Sequence, residues 1–188
     1  FTTPMDRIER TIDRCDHIIN ELLEFSRDQE FRLSDWPADD WLANITEEYA
    51  PPHGVELQLD LAAGDSTFGF DADRLRQVIV NLLDNASQAI VNDDEPNATG
   101  IVSVTTTAVD ERYEITVADT GCGIADDVRD RIFEPLFSTK GFGAGLGLPL
   151  VKRLVEQHGG TIRFTTTVAE GTSFCISLPM KNAGKVAA

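Results

Sequence analysis

The chain has 188 residues, 41% hydrophobic and 26% charged, which is room for one ordinary domain plus an appendage. Its 32 acidic against 16 basic residues give a formal net charge of −16, which argues against nucleic acid or an anionic membrane surface as a partner. No run of 18 apolar residues occurs, the polar opening FTTPMDRIER lacks a signal-peptide pattern, and Cys15, Cys122 and Cys175 lack metal-ligand spacing, so a cytoplasmic protein with reduced thiols is expected.

The first residue is Phe rather than Met, and the chain is expected to be part of something longer. Met5, Ile8, Ile12, Cys15, Ile19 and Leu22 recur at alternating spacings of 3 and 4, a heptad seam that Ile18, Leu23 and Phe25 widen. This predicts one long helix from about Pro4 to Phe31. Its length and regularity favour a bundle helix that meets a partner chain over one packed on its own domain.

A turn is expected around Asp35–Pro37, then a helix over residues 38–49. VELQLDL (55–61) alternates apolar and polar residues, as a half-buried strand does. DADRLRQVIVNLLDNASQAIV (71–91) reads as a strong helix, with Asp71 as its cap and Leu75, Val78, Ile79, Leu82, Leu83 and Ala86 on one face. Strands at 101–109 and 113–121 follow as a hairpin, then a short helix around 126–132. After a glycine-rich stretch, a helix from about Leu146 to His158 stops at Gly159-Gly160. TIRFTTTV and TSFCISLP close the chain as another hairpin. The sum is an α+β fold, a two-layer sandwich of a mixed, mostly antiparallel sheet with helices on one face.

Four constellations carry the chemistry. Asn81 and Asn85 sit one helical turn apart, and their amide oxygens are suitable hard ligands for Mg²⁺. In DTGCGI (119–124) Asp119 offers a carboxylate acceptor at a strand end, with glycines that let backbone approach a flat ligand; a plain turn would use the same residues. FEPLFSTK (133–140) sets two aromatics around a proline and ends in Lys140. In STKGFGAGLGLPLV (138–151) glycine stands at 141, 143, 145 and 147 immediately before a helix, and backbone N–H groups at a helix N-terminus make an anion site. Neither G-x-x-x-x-G-K-[ST] nor G-x-G-x-x-G is present.

N-x-x-x-N, D-x-G-x-G, F-x-P-x-F and G-x-G-x-G-L-G-L follow one another in that order within about 70 residues. In that combination the chain resembles the ATP-binding catalytic domain of sensor histidine kinases, with its Bergerat-type fold. The resemblance runs from Leu33 to Pro179, and IINELLEFSR (18–27) is similar to the second helix of the family's dimerisation and histidine-phosphotransfer hairpin. It implies three segments: a partial hairpin over residues 1–33, the catalytic domain over 34–180 and a tail over 181–188. It also implies that Asn85, with Asn81, holds Mg²⁺ on the ATP phosphates. Asp119, Gly121 and Gly123 would bind adenine, and Phe133 and Phe137, with Pro135, would anchor a lid. Gly143, Gly145, Leu146 and Gly147 would close over the triphosphate. Lys140 would contact phosphate, and Thr172 in EGTSFCISLP joins the implied nucleotide contacts.

The implied activity is phosphoryl transfer from ATP to a histidine and thence to an aspartate of a response-regulator receiver domain, in a homodimer built through the bundle helix. This chain lacks the family's acceptor pattern of histidine followed by an acidic residue; His17, His53 and His158 read as surface or structural. An acceptor outside the chain is therefore expected. Gln88 stands where many members have a basic residue, and seven residues separate Phe137 from Gly145, a short lid. NASQAI with FSTKGFGAGLGL resembles the nitrogen-regulation-type branch. Related ATPases of this fold place a glutamate where Asn81 stands, and an amide cannot take a proton from water, which argues against hydrolysis as the main activity. The other readings are an ATPase of this fold and a non-catalytic nucleotide-binding scaffold.

Overall fold

The computed structural model describes residues 30–91, 95–138 and 145–181. The long first helix therefore lies outside the described residues, apart from its expected end: residues 30–33 carry no regular secondary structure, so Phe31 is not helical. The elements in chain order are β1 (Ser34–Pro37), α1 (Ala38–Glu48), β2 (Val55–Leu61), β3 (Thr67–Phe70), α2 (Ala72–Ile90), β4 (Gly100–Val109), β5 (Arg112–Asp119), α3 (Gly147–Gln157), β6 (Thr161–Thr167) and β7 (Gly171–Pro179).

Five strands form one sheet in the order β2-β4-β5-β7-β6, in which β2 and β4 run parallel and every other pair is antiparallel. The alternation along β4 and β5 turns Val102, Val104, Tyr113, Ile115 and Val117 inward, where they meet the apolar stripes of the helices in one core. α2 supplies most of that stripe through Leu75, Val78, Ile79, Leu82, Leu83, Ala86 and Ile90. α3 adds Leu150, Val151, Leu154 and Val155, and α1 adds Leu42 and Ile45. This is the expected α+β two-layer sandwich.

Two details depart from the sequence reading. Ser34–Pro37 is not a turn but a strand, paired with β3 in a separate two-stranded sheet. Both strands have only four residues; every residue of β1 is exposed, while β3 buries only Phe68 and Phe70. The short helix expected at 126–132 is a single 3₁₀ turn at Arg129–Arg131. The β4–β5 hairpin turns on Asp110 (φ 51°) and Glu111 (φ 58°), a left-handed pair made without glycine.

Polar contacts inside the core are paired. The Tyr113 hydroxyl donates to Asp39 Oδ1 at 2.6 Å, and the Thr106 hydroxyl reaches the same oxygen at 2.8 Å, tying α1 to the sheet. Burial pushes the Tyr113 phenol well above its ordinary value. Tyr49, just past α1, reaches Asp84 and Ser87 on α2, and burial pushes its phenol up to about 12.

Further contacts fasten the ends of the described residues. Arg32 N donates to Asp71 Oδ2 at 2.8 Å and Phe31 lies edge-on to His158 at 4.5 Å. Lys181 O accepts from Gly69 N at 2.8 Å, so the first residue of the expected tail joins β3.

Candidate functional site

The site is built along one strip of α2. Asp71 caps this helix by accepting from Arg74 N at 3.1 Å, and the apolar stripe described above fixes its rotation. That rotation puts Asn81, Asn85 and Ala89, each one turn from the next, along the boundary between core and solvent, all three half-buried.

Asn81 Nδ2 donates back to Gln77 O at 2.9 Å, which turns its Oδ1 away from its own helix. That oxygen faces the first residue of α3. A methyl group added at Gly147 would lie 2.9 Å from Asn81 Oδ1 and 3.8 Å from Asn85 Nδ2. Residues 66 positions apart in the chain thus meet at one point. The cap residue of α3, Leu146, provides no side-chain hydrogen bond and the first turn carries no acidic residue. The N–H groups of that turn and the positive end of the helix dipole consequently face the two asparagines without a side-chain cap. Leu146 itself is 2% exposed, so its side chain is not available to a ligand.

Farther along α2, the end of β5 packs on Ala89. A methyl group at Gly121 would come within 2.4 Å of Ala89 O, so only glycine lets this loop close against the helix, and Cys122 N donates to the same carbonyl at 3.0 Å. Asp119, 9% exposed, closes the floor: its Oδ1 accepts from Gly121 N at 2.9 Å and from Thr172 N at 3.3 Å. Thr172 is its cross-strand partner on β7. Gly123 adopts φ +71° against Thr167 O.

The segment from Phe133 to Phe137 forms the rim nearest α3. Phe133 packs edge-on against Phe164 at 6.0 Å, and the Arg131 guanidinium lies 4.1 Å above the Phe137 ring. Leu136 N donates to Gly145 O at 3.1 Å, and Gly145, at φ +69°, sits against Phe137 O. The structure therefore brings Asn81, Asn85 and Gly147 to one place, Asp119, Gly121 and Thr172 to another on the same helix, and Phe133, Phe137 and Gly145 to the rim. Lys140 and Gly143 lie outside the described residues.

Two contributors were not singled out from the sequence. Ala89 takes part through its carbonyl, which no side-chain pattern reveals. Thr166 bonds to Ile124 N (2.9 Å) and to the Thr172 hydroxyl (3.0 Å), but it is the middle of three consecutive threonines, and only the strand register distinguishes it.

The family model for histidine kinase-, DNA gyrase B-, and HSP90-like ATPases matches residues 70–182, the stretch that holds every part of this site. The chain belongs to that family. Among its relatives, the sensor histidine kinase ZraS of Escherichia coli K12 is 36% identical over 171 residues, 89% of this chain and 36% of the relative. The signal transduction histidine-protein kinase AtoS of the same organism is 34% identical over 182 residues, 93% of this chain and 28% of the relative. The crystal structure of full-length ShkA in complex with AMPPNP superposes with a TM-score of 0.78 at 31% identity, over 97% of this chain and 40% of that one. The chain carries the catalytic domain of the histidine-kinase type, with the expected sandwich, and spans about a third of the length of these curated relatives. No described helix is long and apolar enough to cross a membrane.

Proposed function

We propose that this domain binds ATP with Mg²⁺ between α2 and α3 and transfers its γ-phosphate to a histidine on a bundle helix, from which the phosphate passes to an aspartate of a response regulator. The observation that carries the reading is the meeting of Asn81 and Asn85 with the uncapped N-terminus of α3 at Gly147. A triphosphate there would meet backbone N–H donors on one side and the Asn81 and Asn85 amides on the other. The ShkA structure, which holds a triphosphate analogue, supports nucleotide binding by this fold.

No cluster of three His, Cys, Asp or Glu side chains that could hold a metal occurs among the described residues. A divalent ion would take its ligands from the Asn81 and Asn85 amide oxygens and from the phosphates, an all-oxygen set of the kind Mg²⁺ prefers. The ion would neutralise phosphate charge that a protein of net charge −16 does not. Asp119 would accept from the exocyclic amine of adenine and fix the base. The α3 N–H groups, together with Lys140, would hold the phosphates. Phe133 and Phe137 would anchor the segment that covers them. Asn81 offers an amide and not a base, so the γ-phosphate is held without activating water, and positioning supplies most of the rate. The residues ahead of Glu30 would supply the second helix of the phosphotransfer hairpin, the element through which two copies associate. A structure of the histidine kinase ThkA in complex with response regulator protein TrrA shares the fold.

The test measures nucleotide binding and ADP release together on the purified chain with Mg²⁺ and ATP. Tight binding with negligible turnover is expected, and phosphorylation should appear when a histidine-bearing bundle segment is supplied. Sustained ADP release that disappears in Asn85→Asp would instead make the protein an ATPase. Lys140→Ala is expected to weaken ATP more than ADP.

A further inference from the structure

Thr166, Thr172 and Asp119 stand side by side across three adjacent strands, β6, β7 and β5. We propose that Thr166 is a positioning residue that fixes the direction of the Thr172 hydroxyl and thereby contributes to base selection. The proposal rests on the nucleotide-binding reading above.

A threonine hydroxyl has one proton to give and two lone pairs. Thr166 Oγ1 accepts from Ile124 N at 2.9 Å, which occupies one lone pair. It lies 3.1 Å from Gly171 O, a carbonyl that can only accept, and 3.0 Å from Thr172 Oγ1. Pointing the Thr166 proton at Thr172 would leave two oxygen lone pairs opposed at 3.1 Å. The proton therefore goes to Gly171 O, and the second lone pair of Thr166 receives the proton of Thr172. Thr172 is 5% exposed and its proton is committed away from Asp119, so toward a ligand it presents lone pairs alone.

The floor of the site is then two neighbouring acceptors, the Asp119 carboxylate and the Thr172 oxygen. Such a floor requires donors opposite it, supplied by the exocyclic amine of adenine or by water held between base and protein. A keto oxygen at the same position would face acceptors on both sides, and buried polar groups left without partners discriminate strongly between analogues. The sense of the Thr172 hydrogen bond is set one strand away from the ligand, by a residue that does not touch it.

The experiment compares ATP with inosine triphosphate, which carries oxygen in place of the amine, by calorimetry on the full chain as wild type, Thr166→Val and Thr166→Ser. Thr166→Val releases the Thr172 proton to face the ligand. The ratio of ATP to inosine triphosphate affinity should then fall by about fivefold, the scale of one hydrogen bond. Thr166→Ser keeps the hydroxyl and should retain the wild-type ratio. Equal weakening of both nucleotides by Thr166→Val, or a serine variant that behaves like the valine one, would overturn the proposal. Should Thr166→Val fail to fold, Thr166→Cys keeps the size with a much weaker donor and acceptor, and the same fall is expected. A wild-type chain that binds neither nucleotide would sink the site reading, and this inference with it.

Discussion

Asp119→Asn separates the role of the carboxylate in the fold from its role toward a ligand. Asp119 Oδ1 takes two backbone N–H groups, Gly121 at 2.9 Å and Thr172 at 3.3 Å, and an asparagine can keep an oxygen in that place. Bonds to a charged acceptor are about twice as strong as neutral ones, so the exchange should cost about 1 kcal/mol of stability. For a domain of this size that is a Tm decrease of about 2–4 °C. The ligand side changes more, because the second atom of the group becomes an N–H₂ donor facing the amine of the base. Losing a charge-assisted bond and opposing two donors should together cost about 3 kcal/mol, roughly 150-fold in Kd. Calorimetric titration with ATP and a thermal scan on the same sample measure both quantities. A Kd within about threefold of wild type would show that Asp119 does not touch the base. A Tm drop beyond about 10 °C would show instead that its main task is holding the loop, and the reasoning here would be wrong.

Tyr113→Phe removes the 2.6 Å bond to Asp39 and leaves that carboxylate with one partner fewer in the core, so unfolding free energy should fall by about 1.5–3 kcal/mol. Urea unfolding measures this, and a fall under about 0.5 kcal/mol would mean water or a shifted side chain replaces the bond. His158 gives the pH prediction. Burial holds its pKa below the ordinary 6.5, and in the neutral ring Nδ1–H donates to Leu154 O at 2.7 Å while Nε2 accepts from Asp71 N at 3.2 Å. The unfolded chain takes up this proton near 6.5 and the folded chain does not, so the contribution is present above that pH and declines as pH falls below it. The stability gap between wild type and His158→Gln should therefore narrow from about pH 7.5 to about pH 5, and a constant gap would refute the neutral-ring assignment.

The parts of the fold legible in the sequence are those with long periods. α2 could be read because Asp71 caps it and an apolar residue returns every three or four positions over 19 residues. β1 and β3 could not, because four residues are too few for an alternation to stand out and SDWP carries the chemistry of a turn. The helix expected at 126–132 is a 3₁₀ turn of three residues, Arg129–Arg131, too short for any apolar period to mark its type. For the site, the order of the motifs was legible and their contacts were not. Nothing local to Asn81 says that Gly147 lies against its Oδ1 or that Gly121 closes on the carbonyl of Ala89. Residues 1–29, 92–94, 139–144 and 182–188 lie outside the described structure, so the readings there rest on sequence alone.

The two helices of the site fix one another's register. Asp71 N at the start of α2 donates to His158 Nε2, just past the end of α3, while Asn81 meets Gly147 at the start of α3. The helices therefore run antiparallel. Ten residues separate the contacts on α2 and eleven on α3, about 15 Å and 16.5 Å at 1.5 Å per residue. Ten and eleven residues are also close to three turns, so each helix presents both contacts on a single face. Sliding α3 by one residue would shift it by about 1.5 Å and rotate it by roughly 100°, bringing Leu146 or Leu148 against the Asn81 amide in place of glycine. The Asp71–His158 contact and the absence of a side chain at 147 are two ends of one constraint. Phe31 and Arg32 touch that constraint at the end away from the site, one through the His158 ring and the other through the Asp71 carboxylate. The segment leading in from the first 29 residues is thus fastened to both helices that position the candidate phosphate contacts.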